Sequence, residues 1–272
     1  MTSIIQKVLE AEKKRNAGRR HEPRSLGEAT RELVASSGLF KALSASPVES
    51  KAMERNKILP AIDDRGAVTA YKMLRTRVLQ RMRSNDWQSL IVTGAGPGEG
   101  KTLTACNLAV SVAGDVNQAV VLVDLDLQRP SLASYFGLDV RASIGDYLIG
   151  NAELEEIVYA PAGMERLAII PNRDPVPNSS DLLASPRMRT LLKWLREQGS
   201  ETITVFDMPP VLACDDVLAF SPYVDAILMV VAEGKTERTS LSRCMEMIGD
   251  RNLLGVVLNQ SREQDSVSSY YY

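Results

Sequence analysis

The stretch that decides the fold is "SLIVTGAGPGEGKTLTACNLAVSVAG", residues 89–114. It opens with a short apolar run, continues through the glycine-rich turn "GPGEGKT" at 96–102 and ends in a segment with helical spacing. A strand, a glycine-rich turn and a helix in this order form a phosphate-binding loop, because glycines let backbone N–H groups approach phosphate and the helix N-terminus presents its positive end. The stretch therefore predicts a nucleotide-binding α/β domain.

Each residue type of this phosphate-binding loop, residues 96–102, suits a phosphate ligand. Lys101 can reach the β and γ oxygens of a nucleotide, and the Thr102 hydroxyl can ligate magnesium. Against the pattern G-x-x-x-x-G-K-[ST], Ala95 replaces the first glycine. An ordinary glycine-rich turn is the alternative, but a lysine and a threonine at a strand–helix junction favour nucleotide binding. The predicted cofactor-binding residues here are Gly96, Gly98, Glu99, Gly100, Lys101, Thr102 and Leu103.

Short apolar runs rich in Val and Ile alternate with helical patterns along the chain. They are apolar without strict alternation, as in strands that are buried on both faces of a parallel sheet covered by helices. The prediction is an α/β fold of the P-loop NTPase type, with a mostly parallel central sheet flanked by helices and a polar N-terminal extension. The predicted strands are 89–95, 119–126, 167–172, 202–209, 226–234 and 253–260.

Composition divides the chain into three regions. Residues 1–66 mix charges with Ser, Ala and Pro and predict a flexible polar arm, whose basic cluster at 13–20 either contacts lipid headgroups or an acidic partner or is simply solvated. Residues 67–264 predict the P-loop domain. Residues 265–272, "DSVSSYYY", predict a mobile tail. The domain begins with a helix whose apolar face consists of Val68, Tyr71, Leu74, Val78 and Met82.

Acidic residues follow two of the predicted strands. Asp124 and Asp126 end "AVVLVDLD", and Asp207 ends "TITVFD". The carboxyl ends of strands in an open α/β sheet form the ligand-binding edge, and a phosphate-binding loop needs a nearby carboxylate to hold magnesium. Any one of these residues alone favours a helix cap. Three together favour a site for ATP and Mg²⁺.

Composition also excludes several classes of function. A net charge of -2 and a pI near 5.7 give no overall attraction to nucleic acid. The apolar runs are shorter than the roughly 20 residues of a membrane-spanning helix, and the charged N-terminus has no signal-peptide core, so we expect a cytoplasmic protein without a membrane span. The single histidine, His21, excludes a His-rich zinc site, and the three scattered cysteines are expected to be reduced thiols.

Several stretches together resemble one family. "GPGEGKT", "VVLVDLDLQRPS", "PNSSDLLASPRM", "TVFDMPPVLACDD", "GVVLN" and the terminal tyrosines are similar to the bacterial tyrosine kinases of capsule and exopolysaccharide synthesis, from about residue 67 onward. The likeness is to the stand-alone cytoplasmic form, and to the subgroup of exosortase-linked exopolysaccharide loci. These kinases are deviant Walker ATPases, related to MinD and ParA.

The resemblance implies an activity and partners. It implies an ATP-dependent protein-tyrosine autokinase that regulates polysaccharide polymerisation and export. The expected partners are a separate membrane chain-length protein, which recruits the kinase to the inner face of the plasma membrane, and further copies of the chain in a homo-oligomer. No nucleic-acid partner is expected.

The resemblance also implies catalytic and metal-binding roles. Lys101 and Thr102 stand at the Walker A lysine and hydroxyl. Asp124 and Asp126 stand at the D-x-D pair, which organises magnesium and helps to deprotonate the attacking tyrosine. Asp207 stands at the Walker B aspartate, a magnesium ligand.

Further roles concern the base and the acceptor. Asn259 stands where relatives contact adenine, and Tyr270, Tyr271 and Tyr272 correspond to the tyrosines that accept phosphate. A tyrosine hydroxyl with a pKa near 10 needs a carboxylate to take its proton and a phosphate in line. In the family, a ring of subunits feeds each tail into the next active site. A disordered apolar tip is the alternative reading of these tyrosines.

Two departures keep other functions open. Gln128 replaces the basic residue common after D-x-D, and "TAYKMLR" places Thr69, Lys72 and Arg75 where the family's oligomerisation helix has E-x-x-R-x-x-R. The alternatives are a MinD/ParA-like ATPase switch and a catalytically weak regulatory pseudo-kinase. Switch proteins usually carry a second lysine near the start of the loop, and its absence from "GAGPGEGKT" favours the kinase.

Overall fold

The strands form one large parallel sheet and one small one. In this computed structural model, which describes residues 43–261, six strands form a parallel sheet in the spatial order β5-β3-β6-β2-β7-β8, and β1 pairs with β4. The predicted α/β fold with a parallel central sheet is confirmed. The strands are β1 (Ala45–Ser46), β2 (Ser89–Gly94), β3 (Ala119–Asp124), β4 (Ala160–Pro161), β5 (Leu167–Ile170), β6 (Thr202–Asp207), β7 (Ala226–Ala232) and β8 (Leu253–Asn259).

Helices cover both faces of the large sheet. Several begin at sequence signals: the Asp64 side chain accepts a hydrogen bond from Ala67 N (2.9 Å) at the start of α2, and Ser185 caps α7, which has proline at its first position. The helices are α1 (Ser50–Arg55), α2 (Arg65–Ser84), α3 (Lys101–Ala113), α4 (Leu132–Phe136), α5 (Ile144–Ile149), α6 (Ser179–Leu183), α7 (Pro186–Arg196), α8 (Asp216–Phe220) and α9 (Arg238–Ile248).

Alternate strand residues feed two separate hydrophobic cores. On one face Ile91, Val121 and Phe206 pack with α7 and α9, and on the other Leu90 and Val120 pack with α2 and α3. Since both strand faces are buried, the strand sequences are continuously apolar. Each such buried side chain contributes roughly 1.5–3 kcal/mol of transfer free energy. Strand register is therefore strongly fixed.

Strand order brings the predicted site residues to one edge. β6 lies between β3 and β2, and Asp207 is in register with both Asp124 and Val92. The carboxyl ends of these three strands are neighbours, and β2 leads into the phosphate-binding loop. We call Asp124, Asp126 and Asp207 the acidic edge.

The ordered domain begins upstream of the boundary predicted at residue 67. Met53 and Ile58 are buried in the same core as α2 and α3, and Leu59 N donates to the Asn107 side chain (2.9 Å). The backbone N–H of Glu49 donates to Phe136 O (3.0 Å), which ties the start of α1 to α4. Residues 43–66 are therefore not an arm in this structure. Their few apolar residues stand among charged ones, so composition alone did not indicate that they are packed.

Residues 1–42, with the basic cluster, and residues 262–272, with the three terminal tyrosines, lie outside the described residues. Of the helices in the range 43–261, none has the length and apolar character needed to cross a membrane.

Candidate active site

The phosphate-binding loop connects β2 to α3 in a conformation that needs glycine. Gly98 and Gly100 have φ values of 69° and 88°, in the left-handed region. At Gly100 a Cβ would also clash with the Asn259 side chain. α3 begins at Lys101, directly after this turn, so its N-terminus points its free N–H groups towards the loop.

Lys101 is held inside the loop. Its side chain is buried, and its Nζ donates to Gly96 O (3.0 Å). Burial lowers the pKa of Lys101, while the charges of Asp207 and Glu99 oppose that change. The ammonium therefore lies among opposite charges at the position where phosphates bind such loops.

Glu99 braces the loop from within. Its buried carboxylate accepts hydrogen bonds from Gly96 N (3.0 Å) and from the Thr236 hydroxyl (2.6 Å). One bond closes the loop on itself, and the other joins it to the segment after β7. Both carboxylate oxygens of Glu99 are thus used inside the protein.

The loop carbonyls accept hydrogen bonds from residues at or just beyond the ends of two other strands. Gly98 O accepts hydrogen bonds from Lys235 Nζ (3.1 Å) and Gln260 Nε2 (3.0 Å), and Glu99 O accepts one from Asn259 Nδ2 (2.9 Å). The sequence prediction placed Asn259 at the site but missed Lys235, Thr236 and Gln260. They belong to no motif, and only the adjacency of β2, β7 and β8 brings the residues that follow β7 and β8 to the loop.

Asp207 is the least satisfied member of the acidic edge. It is buried, and neither of its carboxylate oxygens accepts a hydrogen bond of normal geometry from residues 43–261. Burial, followed by the charge of Asp124, raises the pKa of Asp207 well above its ordinary value. The Thr102 side chain lies near enough to lower that pKa in part.

The two aspartates after β3 differ in accessibility. Asp124 is fully buried, and its Oδ2 accepts from Ser131 N and Leu132 N (both 3.0 Å); burial raises its pKa to about 7. Asp126 is half-buried, and its Oδ1 accepts from Arg129 N (3.0 Å). Burial raises the pKa of Asp126 as well. Asp124 therefore anchors the turn that carries the more accessible Asp126.

A further buried carboxylate, missed by the sequence prediction, lies beside the acidic edge. The Ser179 hydroxyl donates to Asp216 Oδ1 (2.8 Å), and Gln128 Nε2 donates to Ser179 Oγ (3.1 Å). Asp216 is fully buried, and its charge raises the pKa of Asp126. "PNSSDLLASPRM" and "TVFDMPPVLACDD" contain Ser179 and Asp216, but no pattern joined them. Gln128 thus makes a specific contact in place of the expected basic residue.

The remaining residues singled out in the sequence lie on α2 and α3. Leu103 is half-buried on α3 and packs against the hydrophobic core. On α2, Thr69 and Lys72 are exposed, while Arg75 Nη1 donates to Ser111 O (3.1 Å) on α3. Arg75 therefore ties two helices of the same chain together.

The donor set fits a magnesium ion. Within residues 43–261, no three His, Cys, Asp or Glu side chains come together as a metal cage. Mg²⁺ in nucleotide sites uses one or two carboxylates together with phosphate oxygens and water, so a cage is not required. The two unpaired, buried oxygens of Asp207, with Thr102 nearby, meet that requirement.

Comparisons with known proteins agree with this geometry. Residues 90–271 match the family model of the CobQ/CobB/MinD/ParA nucleotide binding domain. Tyrosine-protein kinase YwqD of Bacillus subtilis is 29% identical over 209 residues, which cover 74% of this chain and 84% of YwqD. Tyrosine-protein kinase etk of Escherichia coli is 29% identical over 225 residues, which cover 80% of this chain but only 30% of etk.

A solved structure shows the same likeness. The kinase domain of the Escherichia coli tyrosine kinase ETK superposes with a TM-score of 0.69 at 26% identity and covers 91% of this chain and 85% of that domain. None of these comparisons distinguishes the exosortase-linked subgroup, which stays a prediction. Because the family model matches more than half of the chain and the sheet carries a phosphate-binding loop, the chain belongs to the CobQ/CobB/MinD/ParA nucleotide-binding domain family, with bacterial tyrosine kinases among its relatives.

Proposed function

We propose that the chain is an ATP- and Mg²⁺-dependent protein-tyrosine autokinase. The observation that carries the proposal is the meeting of the phosphate-binding loop with the acidic edge at the carboxyl ends of β2, β6 and β3. The likeness to proteins named as tyrosine kinases, and the three tyrosines at 270–272, support tyrosine as the acceptor.

Nucleotide binding falls to the loop and α3. Lys101 exchanges its bond to Gly96 O for phosphate oxygens, while loop N–H groups and the α3 N-terminus bind the remaining phosphate charge. Asp207 and Thr102 would hold magnesium, and the bound ion would neutralise phosphate charge. Asn259, whose side chain lies against Gly100, is assigned to the adenine base because the resemblance implies that contact.

Phosphoryl transfer needs a base for the tyrosine proton. Asp126 is the accessible carboxylate of the acidic edge, and it takes that proton as the tyrosine oxygen forms its bond to the γ-phosphorus. The bond between the γ-phosphorus and the bridging oxygen breaks, and ADP leaves. Asp124 acts by fixing the turn that carries Asp126.

The wider role follows the resemblance. We assign the chain to control of exopolysaccharide polymerisation and export, as a cytoplasmic homo-oligomer that a membrane chain-length protein recruits. Near the end of the described residues, Gln260 contacts the phosphate-binding loop. Eight residues, 262–269, separate the described chain from Tyr270, and at about 3.3–3.6 Å per residue a chain of that length can reach at most roughly 26–29 Å. That reach supports delivery of a tyrosine to an active site.

The deciding experiment measures phosphotyrosine on purified protein given Mg-ATP. Wild type, Lys101→Met and a triple Phe variant at Tyr270, Tyr271 and Tyr272 are compared, with and without the cytoplasmic segment of a candidate chain-length protein. Lys193→Met, on the exposed face of α7, is the matched lysine control. We expect phosphotyrosine in wild type and control and its loss in both other variants, with ATP binding retained in the Phe variant.

The alternatives give different results in the same experiment. ATP binding with turnover but without phosphotyrosine would favour the nucleotide-dependent switch that the family match also allows. ATP binding without turnover or phosphotyrosine would favour the pseudo-kinase. Phosphate mainly outside residues 270–272 would reject the assigned acceptors.

A further inference from the structure

Lys235 places a second cation on the phosphate-binding loop. Its Nζ donates to Gly98 O (3.1 Å), although the residue lies far from the loop in sequence, in the turn that follows β7. In the stretch 89–102, Lys101 is the only cationic residue. The positive charge on the outer side of the loop therefore comes from Lys235.

The backbone that carries Lys235 is fixed to the loop. Lys235 N and Thr236 N both donate to Ala232 O (3.2 and 3.0 Å), and the Thr236 hydroxyl accepts from Ala232 N (2.9 Å) while it donates to Glu99 (2.6 Å). The side chain of Lys235 is nevertheless exposed. A rigid base with a long, flexible and solvated stem lets the ammonium move without moving the turn.

The contact with Gly98 can be exchanged at low cost. A carbonyl oxygen has two lone pairs, and Gly98 O also accepts from Gln260 Nε2 (3.0 Å). If the Lys235 ammonium leaves, Gln260 still satisfies that carbonyl. Breaking such a contact usually costs free energy because it leaves a buried polar group unpaired. The exchange avoids that cost.

Charge balance favours the exchange. Within the loop the carboxylate of Glu99 offsets the single charge of Lys101, so the loop side chains have no net charge for a polyphosphate. When Lys235 is included, the net charge of these three side chains becomes positive. The two ammonium groups are close enough for the charge of Lys235 to lower the pKa of Lys101.

We propose that Lys235 is a phosphate-binding residue, whose ammonium leaves Gly98 O and binds an oxygen of the polyphosphate chain of a nucleoside triphosphate in the loop. This inference rests on the nucleotide binding in the proposed function. It adds a ligand contact from the turn after β7, outside the loop motif.

The test is competitive binding against a fluorescent ATP analogue, with ATP, inorganic tripolyphosphate and adenosine as competitors. The variants are Lys235→Gln, Lys235→Arg and the control Lys193→Gln. In Lys235→Gln we expect affinity for ATP and for tripolyphosphate to fall about tenfold each, the size of one lost charge-assisted hydrogen bond. Adenosine binding and the melting temperature of the nucleotide-free protein should not change, Lys235→Arg should restore most of the affinity, and Lys193→Gln should match wild type.

Three results would overturn the inference. Unchanged ATP affinity in Lys235→Gln would remove the contact. A loss for ATP with unchanged tripolyphosphate binding would move it to the base or ribose. An equal loss for all three competitors, with a lower melting temperature, would make Lys235 a structural brace.

Lys101→Met separates this inference from the proposed function. If wild type binds ATP and Lys101→Met does not, the nucleotide site stands whatever Lys235→Gln shows. If wild type and Lys101→Met both fail to bind ATP or tripolyphosphate, the nucleotide site and the inference are overturned together.

Discussion

Both oxygens of the buried Glu99 carboxylate accept hydrogen bonds in the phosphate-binding loop, whereas neither oxygen of the buried Asp207, on the neighbouring strand end, does so within residues 43–261. The loop carbonyls of Gly98 and Glu99 are likewise satisfied. In the acidic edge, Asp124 Oδ1 also lacks a well-formed bond in this part of the chain. Two regions in contact thus differ in how their polar groups are paired.

This difference in pairing indicates that the loop is preorganised, whereas the acidic edge depends on a ligand. The loop holds its shape through contacts inside the protein, so phosphate meets a formed cradle. The acidic edge carries buried carboxylates that cost free energy unless they are protonated or paired with a cation. The acidic edge is therefore the region whose stability should respond to pH and magnesium.

The largest expected effect is that of Asp207→Asn on phosphotransfer. The substitution keeps the shape of the side chain but removes the charge that we assign to magnesium binding, so phosphotyrosine formation should fall at least about a hundredfold. The measurement is initial-rate phosphotyrosine formation under saturating Mg-ATP. Asp250→Asn, an exposed residue before β8, is the matched control and should retain the wild-type rate. A wild-type rate in Asp207→Asn would remove Asp207 from the metal site.

The next effect is the pH dependence of the free energy of unfolding. Burial raises the pKa of Asp124 from 3.8 to about 7, so the folded chain binds this proton more tightly than the unfolded chain. The stabilising contribution of Asp124, at most about 4 kcal/mol, is therefore fully present below about pH 4. It is lost as pH rises through about 7. Urea unfolding of wild type and Asp124→Asn across this range should show the fall in wild type and a smaller one in the variant.

Magnesium sharpens the same comparison. At about pH 8, above the pKa of Asp124, Mg²⁺ should raise the melting temperature of wild type but not of Asp207→Asn, because a ligand of the folded state alone stabilises it. Equal shifts in the two proteins would place the ion elsewhere. For the pH prediction, a difference in the free energy of unfolding between wild type and Asp124→Asn that is the same at every pH would show that the pKa of Asp124 is not raised in the folded chain.

The smallest expected effect is that of Glu99→Ala on stability. The substitution leaves Gly96 N–H and the Thr236 hydroxyl without their acceptor, which should lower the free energy of unfolding by about 1–3 kcal/mol. Chemical denaturation measures this loss, and Glu165→Ala, an exposed glutamate, should change stability far less. Similar values for the two variants would show that the loop does not depend on its internal brace.

Periodicity and motif spacing predicted most of the fold. All six strands of the large sheet lie within the predicted runs, and the α2 face with Val78 and Met82 is buried. The boundary at residue 67 was wrong for residues 43–66, because Met53 and Ile58 pack from a highly charged segment. Local composition does not report contacts with α4 and α3, which are distant in sequence.

The candidate site could be predicted only where a motif is local. Lys101 and Thr102 follow from one contiguous stretch, and Asp124, Asp126 and Asp207 follow from the ends of apolar runs. The contacts from Lys235, Gln260 and Asp216 could not be predicted this way. Each depends on which strand lies beside which.

The sequence by itself determined a phosphate-binding loop, a buried parallel sheet and acidic residues at its carboxyl edge, since these depend on local spacing and apolar periodicity. Only the tertiary structure decided that β6 sets Asp207 beside Asp124, that the turn after β7 brings Lys235 to Gly98, and that Glu99 is satisfied while Asp207 is not. The physical reason is that hydrogen bonding and burial are set by neighbours across the sheet, and strand order determines which neighbours meet.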